Sequence, residues 1–368
     1  MSDRRERGLD PLRGVAALSV VLFHLWLYAR PQPSAAVHGA SDALWSAGHL
    51  GLVLFFVLSG YLLYRPWVLA RRGGARPPGL ATYLRRRAAR VLPAYYLALA
   101  GSIFLLAGAA GTPGVRLAPP EHLVLFAVFA QNLSPETIMK LDPPMWTLAV
   151  EVAFYLVLPS LGALAMRARW PVAVPLLVVG AGLVYNSAIA GDGLSQPWTK
   201  ALPALLPLFG VGMLIAHLPA GGFGHRARWP LIGLAALLVA GNAAWHEQGA
   251  GAPGLVLRDL PAAAGFALLV VGVRDADPAR NLIGRGLAWI GAVSFGLYLW
   301  HVPVIWWLRS VRLLPLDPVA ALPLVLALSL ALAAASWYLV EQRVMRLAHA
   351  GARRSPPCVD TLPVVQVP

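Results

Sequence analysis

Cysteine is all but missing: Cys358 is the single one among 368 residues. One thiol closes no internal disulfide and builds no thiolate cage for a metal, so a disulfide scaffold and a cysteine-ligated metal site are both excluded. Charge is scarce as well. Asp, Glu, Lys and Arg make up 12% of the chain, against roughly a quarter in soluble domains. With 58% hydrophobic residues and a mean hydropathy of +0.65, the chain is neither disordered nor an ordinary cytosolic enzyme. Glycine-rich phosphate loops, the GxSxG elbow and the HExxH zinc pair are absent too, which leaves nucleotide hydrolysis and metalloprotease chemistry without support. Acidic residues number 16 against 30 basic ones, a net charge of +14. Nucleic-acid binding does not explain that excess in a chain with 13 Trp and long apolar runs. In a membrane protein it marks the cytoplasmic loops.

What the sequence has in abundance is apolar runs of membrane length. Windows of ~19 residues pick out ten: 11–30, 47–65, 91–109, 145–166, 171–190, 200–217, 229–246, 257–273, 287–308 and 318–340. The stretch 121–133 is too short to span and reads as re-entrant or interfacial. The fold class is therefore all-α: a polytopic transmembrane helical bundle of about ten spans. Placing the N-terminus inside puts 22 Lys and Arg residues in inner loops and 7 in outer ones. That asymmetry predicts both termini on the cytoplasmic side, and a shift by one span would destroy it. The basic N-terminus followed by an apolar run has the look of a signal peptide, but Arg13 and His24 interrupt the run, so it reads as the first span. The membrane domain is expected over 1–347. Residues 348–368, rich in Pro and Val, read as an unstructured cytoplasmic tail.

An ionisable group at the centre of a bilayer costs at least ~2.5 kcal/mol and is by default a functional hypothesis. Arg13 and His24 are eleven residues apart, which puts them on nearly the same helical face and about 16 Å apart along the axis. The plainer reading makes Arg13 a snorkelling anchor and His24 a packed interior histidine. Glu151 lies in Trp146-Thr147-Leu148-Ala149-Val150-Glu151, with Tyr155 at i+4 on the same face. A lone buried carboxylate would take up a proton, so a partner among His24, Arg13 and His301 is expected. A Glu151–His24 pair would raise the basicity of the imidazole, as a general base acting on a hydroxyl requires; a purely structural ion pair is the alternative. His301 lines an acceptor pocket or sits in an aromatic belt. Ser59 is a nucleophile or, with Gly60, a close-packing element. Glu341 is expected to anchor the last span by pairing with Arg343 or another arginine. Arg87 and Arg90, with Arg86 beside them, present guanidinium forks to phosphate or simply to lipid headgroups.

Taken in order, these stretches resemble the membrane acyltransferase family 3, over Leu9 to about Leu347. Arg13 and His24 match its Arg/Lys-x10-His pattern, and Phe55-Phe56-Val57-Leu58-Ser59-Gly60-Tyr61 its second-span motif. Arg87-Ala88-Ala89-Arg90 matches its Arg-x-x-Arg. Trp146-Thr147-Leu148 through Glu151 to Phe154-Tyr155 matches its Trp-Ser/Thr-Leu-x-x-Glu-x-x-Phe-Tyr, and Tyr298-Leu299-Trp300-His301 with Pro303 its late Tyr-Leu-Trp-His-x-Pro. The chain departs from the family at Glu341-Gln342-Arg343, where Glu-Arg/Lys-Pro is usual. The resemblance implies a multi-pass enzyme of the bacterial cell membrane that moves an acyl group, commonly acetyl, from acyl-CoA to a hydroxyl of a carbohydrate or glycoside. It implies no permanently bound cofactor, no metal and no nucleic-acid partner. His24, Glu151 and Arg13 would be catalytic, Arg87, Arg90 and Arg86 would hold the CoA phosphates, and His301, Trp146 and Tyr155 would face the acceptor. The alternative is a carrier or flippase for a lipid-linked or small polar substrate, its path lined by the same ionisable residues; no paired halves of the kind transporters show are visible.

Overall fold

A computed structural model describes residues 8–31, 37, 39–74, 77, 79–193, 196–219, 225–247 and 256–353. Among these residues the chain forms helices and connecting loops, without strands. In hydrocarbon every backbone N–H and C=O must be satisfied within the segment, and a helix does that. The first seven helices are α1 (Leu9–Tyr28), α2 (Ala40–Ser46), α3 (Leu50–Arg71), α4 (Leu80–Leu106), α5 (Leu123–Ala127), α6 (Met145–Arg167) and α7 (Ala173–Gly191). They are followed by α8 (Leu202–Ile215), α9 (His225–Glu247), α10 (Leu260–Val273), α11 (Leu282–Ser310), α12 (Pro318–Ser336) and α13 (Gln342–Arg353).

Eight helical runs among the described residues are long and apolar enough to cross a membrane: 9–28, 40–71, 80–106, 145–167, 173–191, 198–215, 282–310 and 318–348. The two remaining apolar windows of the sequence become α9 and α10. Helix α9 is long enough but diluted by polar residues at both ends, and α10 is apolar but has 14 residues, about 21 Å of helix against a ~30 Å core. They pack antiparallel, with Gly265 against Ala235 and Gly272 against Ile232 and Arg228. As a hairpin they return the chain to the side it left. The short apolar run around 121–133 forms no membrane-length helix. It breaks into the five-residue α5 and two 3-10 turns, hung from α4 by Tyr95 and Tyr96, whose hydroxyls donate to the carbonyls of Phe126 and Ala127. Helix α13 runs to Arg353; the rest of the expected tail lies outside the described residues.

The centre of the bundle is the crossing of α1 and α11, which run parallel. Asp10 meets Gly291, His24 meets His301, and Arg309 donates to the Tyr28 carbonyl. Gly14 lies against the Leu287 backbone and Gly291 against the Asp10 backbone, so a Cβ at either position would collide with main chain. Small residues at the crossing let two membrane helices approach closely. Here they bring two imidazoles from separate helices into contact. At the other end of the chain, α12 passes into a π-helical turn over Trp337–Glu341. The extra residue in that turn carries Glu341 inward, to 1% exposure.

Candidate active site

Two chambers meet in the middle of the bundle. The first, about 880 Å³, is lined by Arg13 from α1, Ser59 from α3, Arg87 and Arg90 from α4, and Glu151 and Tyr155 from α6. The second, about 1430 Å³, is lined by His24, His49, Trp146, Lys200, Arg258 and Asp259 among others. Leu52, Phe56 and Tyr298 line both. Tyr298 is therefore the polar part of the partition. Its hydroxyl is 2.8 Å from Thr147 Oγ1 and 3.1 Å from the Pro144 carbonyl oxygen, which ties α11 to the start of α6.

In the histidine chamber one pair of tautomers meets the hydrogen bonds, with His24 Nδ1–H shared between two acceptors. His24 Nδ1 lies 3.0 Å from the Val20 carbonyl and His301 Nδ1 3.2 Å from the Leu297 carbonyl. A carbonyl oxygen accepts and never donates, so both Nδ1 atoms carry hydrogen. His301 Nε2 is then an unprotonated lone pair, and it accepts from His24 Nδ1–H at 3.0 Å. One proton on each ring is accounted for, and His24 Nε2 is left as a bare lone pair. It belongs to a ring that lines the chamber, with Tyr28 stacked upon it at 5.9 Å. This is the arrangement of an oriented base.

The arginine chamber has a different chemistry. Glu151 accepts hydrogen bonds from Ser59 Oγ at 3.0 Å and from the Tyr155 hydroxyl at 2.6 Å. Arg87 lies 6.0 Å from the rings of Tyr83 and Tyr155, and its Nε is buried without a partner among the described residues. Arg90 stands 5.0 Å over Trp337 and 3.8 Å from Glu341, whose other oxygen accepts from Ser336 at 2.9 Å. Arg13 reaches Asp10 at 3.3 Å, at the mouth of the chamber, where both side chains remain over a third exposed. Three guanidinium groups thus converge on a largely apolar pocket that holds one carboxylate.

The structure brings most of the sequence-selected residues together but reassigns several. Glu151 does not pair with His24: it sits one turn beyond Thr147 on α6, beyond the Tyr298 partition, and its partners are Ser59 and Tyr155. His301 does not line an acceptor pocket. It is fully buried behind His24, its Nε2 3.0 Å from His24 Nδ1. Tyr155 belongs to the arginine chamber, not beside the acceptor, because its i+4 bond to Glu151 turns it that way. Trp146 does line the histidine chamber, with the Lys200 ammonium 4.2 Å over its ring. Arg86 lies off the lining that Arg87 and Arg90 share. Ser59 proves to be a ligand of Glu151. Glu341 is the anchor expected, with Arg90 as its arginine. The sequence reading missed Lys200, His49 and Asp259. Their one signal was charge close to apolar runs that the loop count had placed on the outer side. Among the described residues no three His, Cys, Asp or Glu side chains converge as a metal cage.

Comparison with known proteins bears on this geometry directly. The acyltransferase-domain family model matches residues 6–338. The chain belongs to that family. Among relatives of this acyltransferase, Nodulation protein 10 of Rhizobium leguminosarum bv. viciae is 25% identical over 388 residues, covering 94% of this chain and 95% of that protein. A putative peptidoglycan O-acetyltransferase, YrhL of Bacillus subtilis (strain 168), is 25% identical over 81% of this chain and 48% of its own length. The putative membrane-bound transacylase BcsY of Komagataeibacter xylinus is 23% identical over 81% of this chain and 72% of its own. No solved structure matches. Eight apolar helices and membership of this family make the protein a multi-pass membrane enzyme that transfers acyl groups.

Proposed function

We propose that this acyltransferase carries an acyl group, acetyl in the simplest case, from acyl-CoA in the arginine chamber to a carbohydrate hydroxyl in the histidine chamber. The observation that carries the reading is that a pocket lined by Arg13, Arg87 and Arg90 and a pocket lined by His24 share one wall at Tyr298. Arg87 and Arg90 supply planar donors suited to phosphate oxygens, with Arg86 outside the chamber as a weaker contributor at its approach. The pantetheine arm is an extended chain, and the pocket between Arg87 and Tyr298 is largely apolar, as that arm requires. The relatives named for O-acetyl and acyl transfer support the same chemistry.

The residues then divide the reaction as follows. His24 Nε2 takes the proton of the acceptor hydroxyl as its oxygen attacks the thioester carbonyl. The resulting imidazolium keeps its Nδ1–H on Val20 and on the His301 lone pair, which stabilises it without a further proton shift. The tetrahedral intermediate collapses with expulsion of the CoA thiolate, which the imidazolium or solvent protonates. Glu151 holds Ser59 and Tyr155 in the donor chamber, and Arg13 adds positive charge at its mouth. Transfer is direct, because the base opens into the acceptor chamber and not toward Ser59. The multi-pass chain lies in the plasma membrane with both termini cytoplasmic, so the arginine chamber faces the cytoplasmic pool of CoA.

The test is release of CoA by the purified, full-length protein in nanodiscs. With acetyl-CoA and a panel of glycosides, free thiol should appear only when acceptor is added, with the acyl mass on the sugar. Full transfer by His24→Ala would sink the assignment of the base.

A further inference from the structure

The outer-side basic residues run against the positive-inside tendency, and the structure explains three of them locally. Arg30 is bridged to Asp42, Lys140 to Glu136 at 2.6 Å, and Arg309 donates to the carbonyls of Pro113, Tyr28, Arg30 and Pro31. Lys200 and Arg258 are different. Both line the histidine chamber. Lys200 has an aromatic face, Trp146, as its neighbour, and Arg258 donates to the neutral carbonyl of Thr199; among the described residues neither has a carboxylate within 4.0 Å. Asp259, the one carboxylate in that lining, is engaged by Asn242 Nδ2 at 3.1 Å and lies 3.8 Å from His49 Nε2. His49 Nδ1 is 2.7 Å from the Ser46 carbonyl, so this ring donates from one nitrogen to Ser46 and faces Asp259 with the other. Arg258 is moreover held in the left-handed backbone region, φ 45°, a strained conformation for a long side chain that the surrounding structure must enforce.

We propose that the acceptor is an anionic glycoside, whose phosphate or carboxylate group docks on Lys200 and Arg258 while a sugar hydroxyl reaches His24 Nε2. This rests on the reading of the histidine chamber as the acceptor side. Two cations with no carboxylate in direct contact, in a pocket walled by Trp26, Trp146 and Phe56 where Asp259 is the single acid of the lining, give an anion far more than either would in water. The arginine supplies a bidentate fork and the lysine a point charge, a pairing that both phosphate and carboxylate satisfy. The aromatic walls suit the apolar faces of a sugar ring. A neutral glycoside would leave both cations bare, and such a mismatch is how a buried polar site rejects the wrong ligand.

The test separates binding from transfer. Calorimetry on the full-length protein in nanodiscs, without acyl donor, compares three probes that share one ring: glucose 1-phosphate, methyl glucuronide and methyl glucoside. At least one anion should bind tenfold or more tightly than methyl glucoside, with a preference that weakens as salt rises, and the two anions distinguish a phosphate from a carboxylate source. Lys200→Gln combined with Arg258→Gln should abolish the preference, while Lys140→Gln, an outer lysine already paired, should retain it. Equal affinity for charged and neutral probes, no measurable binding of either anion, or a preference that survives the double substitution overturns the proposal. Anion preference without acyl transfer to any acceptor would instead leave this site standing and remove the catalytic reading.

Discussion

His301 Nε2 lies 3.0 Å from Nδ1 of His24, and the two residues are 277 positions apart in the chain. The bond exists because Gly14 and Gly291 let α1 and α11 touch. It makes His301 a positioning residue with a measurable share in the rate. A hydrogen bond to a developing charge contributes about 1.5–3 kcal/mol, which is roughly ten- to hundredfold in rate. His301→Ala should therefore lower kcat by that factor with little change in KM for acyl-CoA, and His301→Gln should restore part of it. Steady-state kinetics with donor and acceptor varied separately decides it.

Glu151 should behave as a donor-chamber residue. Its bonds to Ser59 and Tyr155 keep the wall beneath Arg87 in place. Glu151→Gln is expected to raise KM for acyl-CoA severalfold and to weaken binding of CoA itself in a direct titration. If it instead altered kcat as His24 substitutions do, with donor binding intact, the two-chamber division would be wrong.

The glycine crossing is a packing claim with its own test. Gly291→Val puts side-chain atoms into the Asp10 backbone, and overpacking of this kind costs typically ~1–3 kcal/mol. Thermal unfolding in detergent should fall, and activity should fall further than stability because the His24–His301 contact opens. The same change at Gly286, which has open space around it, serves as the control.

Arg90 and Glu341 pair at 3.8 Å, Glu341 buried and the Arg90 side chain 28% exposed, with Ser336 on the other oxygen. Removing Glu341 leaves a half-buried guanidinium unpaired, at a cost below the roughly 3–5 kcal/mol of a fully buried pair. Glu341→Gln should lower the unfolding temperature markedly, and Arg90→Met with Glu341→Leu should recover much of it while donor affinity stays impaired.

Asp142 supplies the pH dependence. It lies in the loop before α6, outside the spans, 1% exposed, with both carboxyl oxygens unpartnered among the described residues. Burial holds its carboxyl well above the usual carboxylate range. The folded state therefore keeps a proton that the unfolded state gives up, so stability is full below the ordinary carboxylate pKa and declines as pH rises toward the folded value. Unfolding temperatures measured from pH 4 upward should fall for the natural chain. Asp142→Asn should flatten that slope.

Helices, membrane residence and the identity of the chemistry-bearing positions were legible in the sequence because they are local properties. An apolar run of twenty residues has one solution in lipid, and a histidine, glutamate or arginine inside such a run stands out against its neighbours. Family motifs in the right order added the acyl-transfer reading. Crossing length was less legible: α9 and α10 fall outside the eight helical runs long and apolar enough to cross, α9 for its polar ends and α10 for its 14 residues. Partnership was legible only in part. Whether Glu151 would meet His24 depended on which turn of α6 faced which turn of α1, and Tyr298 from a third helix comes between them. His301 looked like lining and became support, since its depth depends on how close two backbones can come. Lys200 and Arg258 share a chamber only because distant loops fold over the same end of the bundle. Composition and periodicity act residue by residue along one helix; the division into an arginine-lined and a histidine-lined chamber arises from contacts between helices, and only packing in three dimensions decides those.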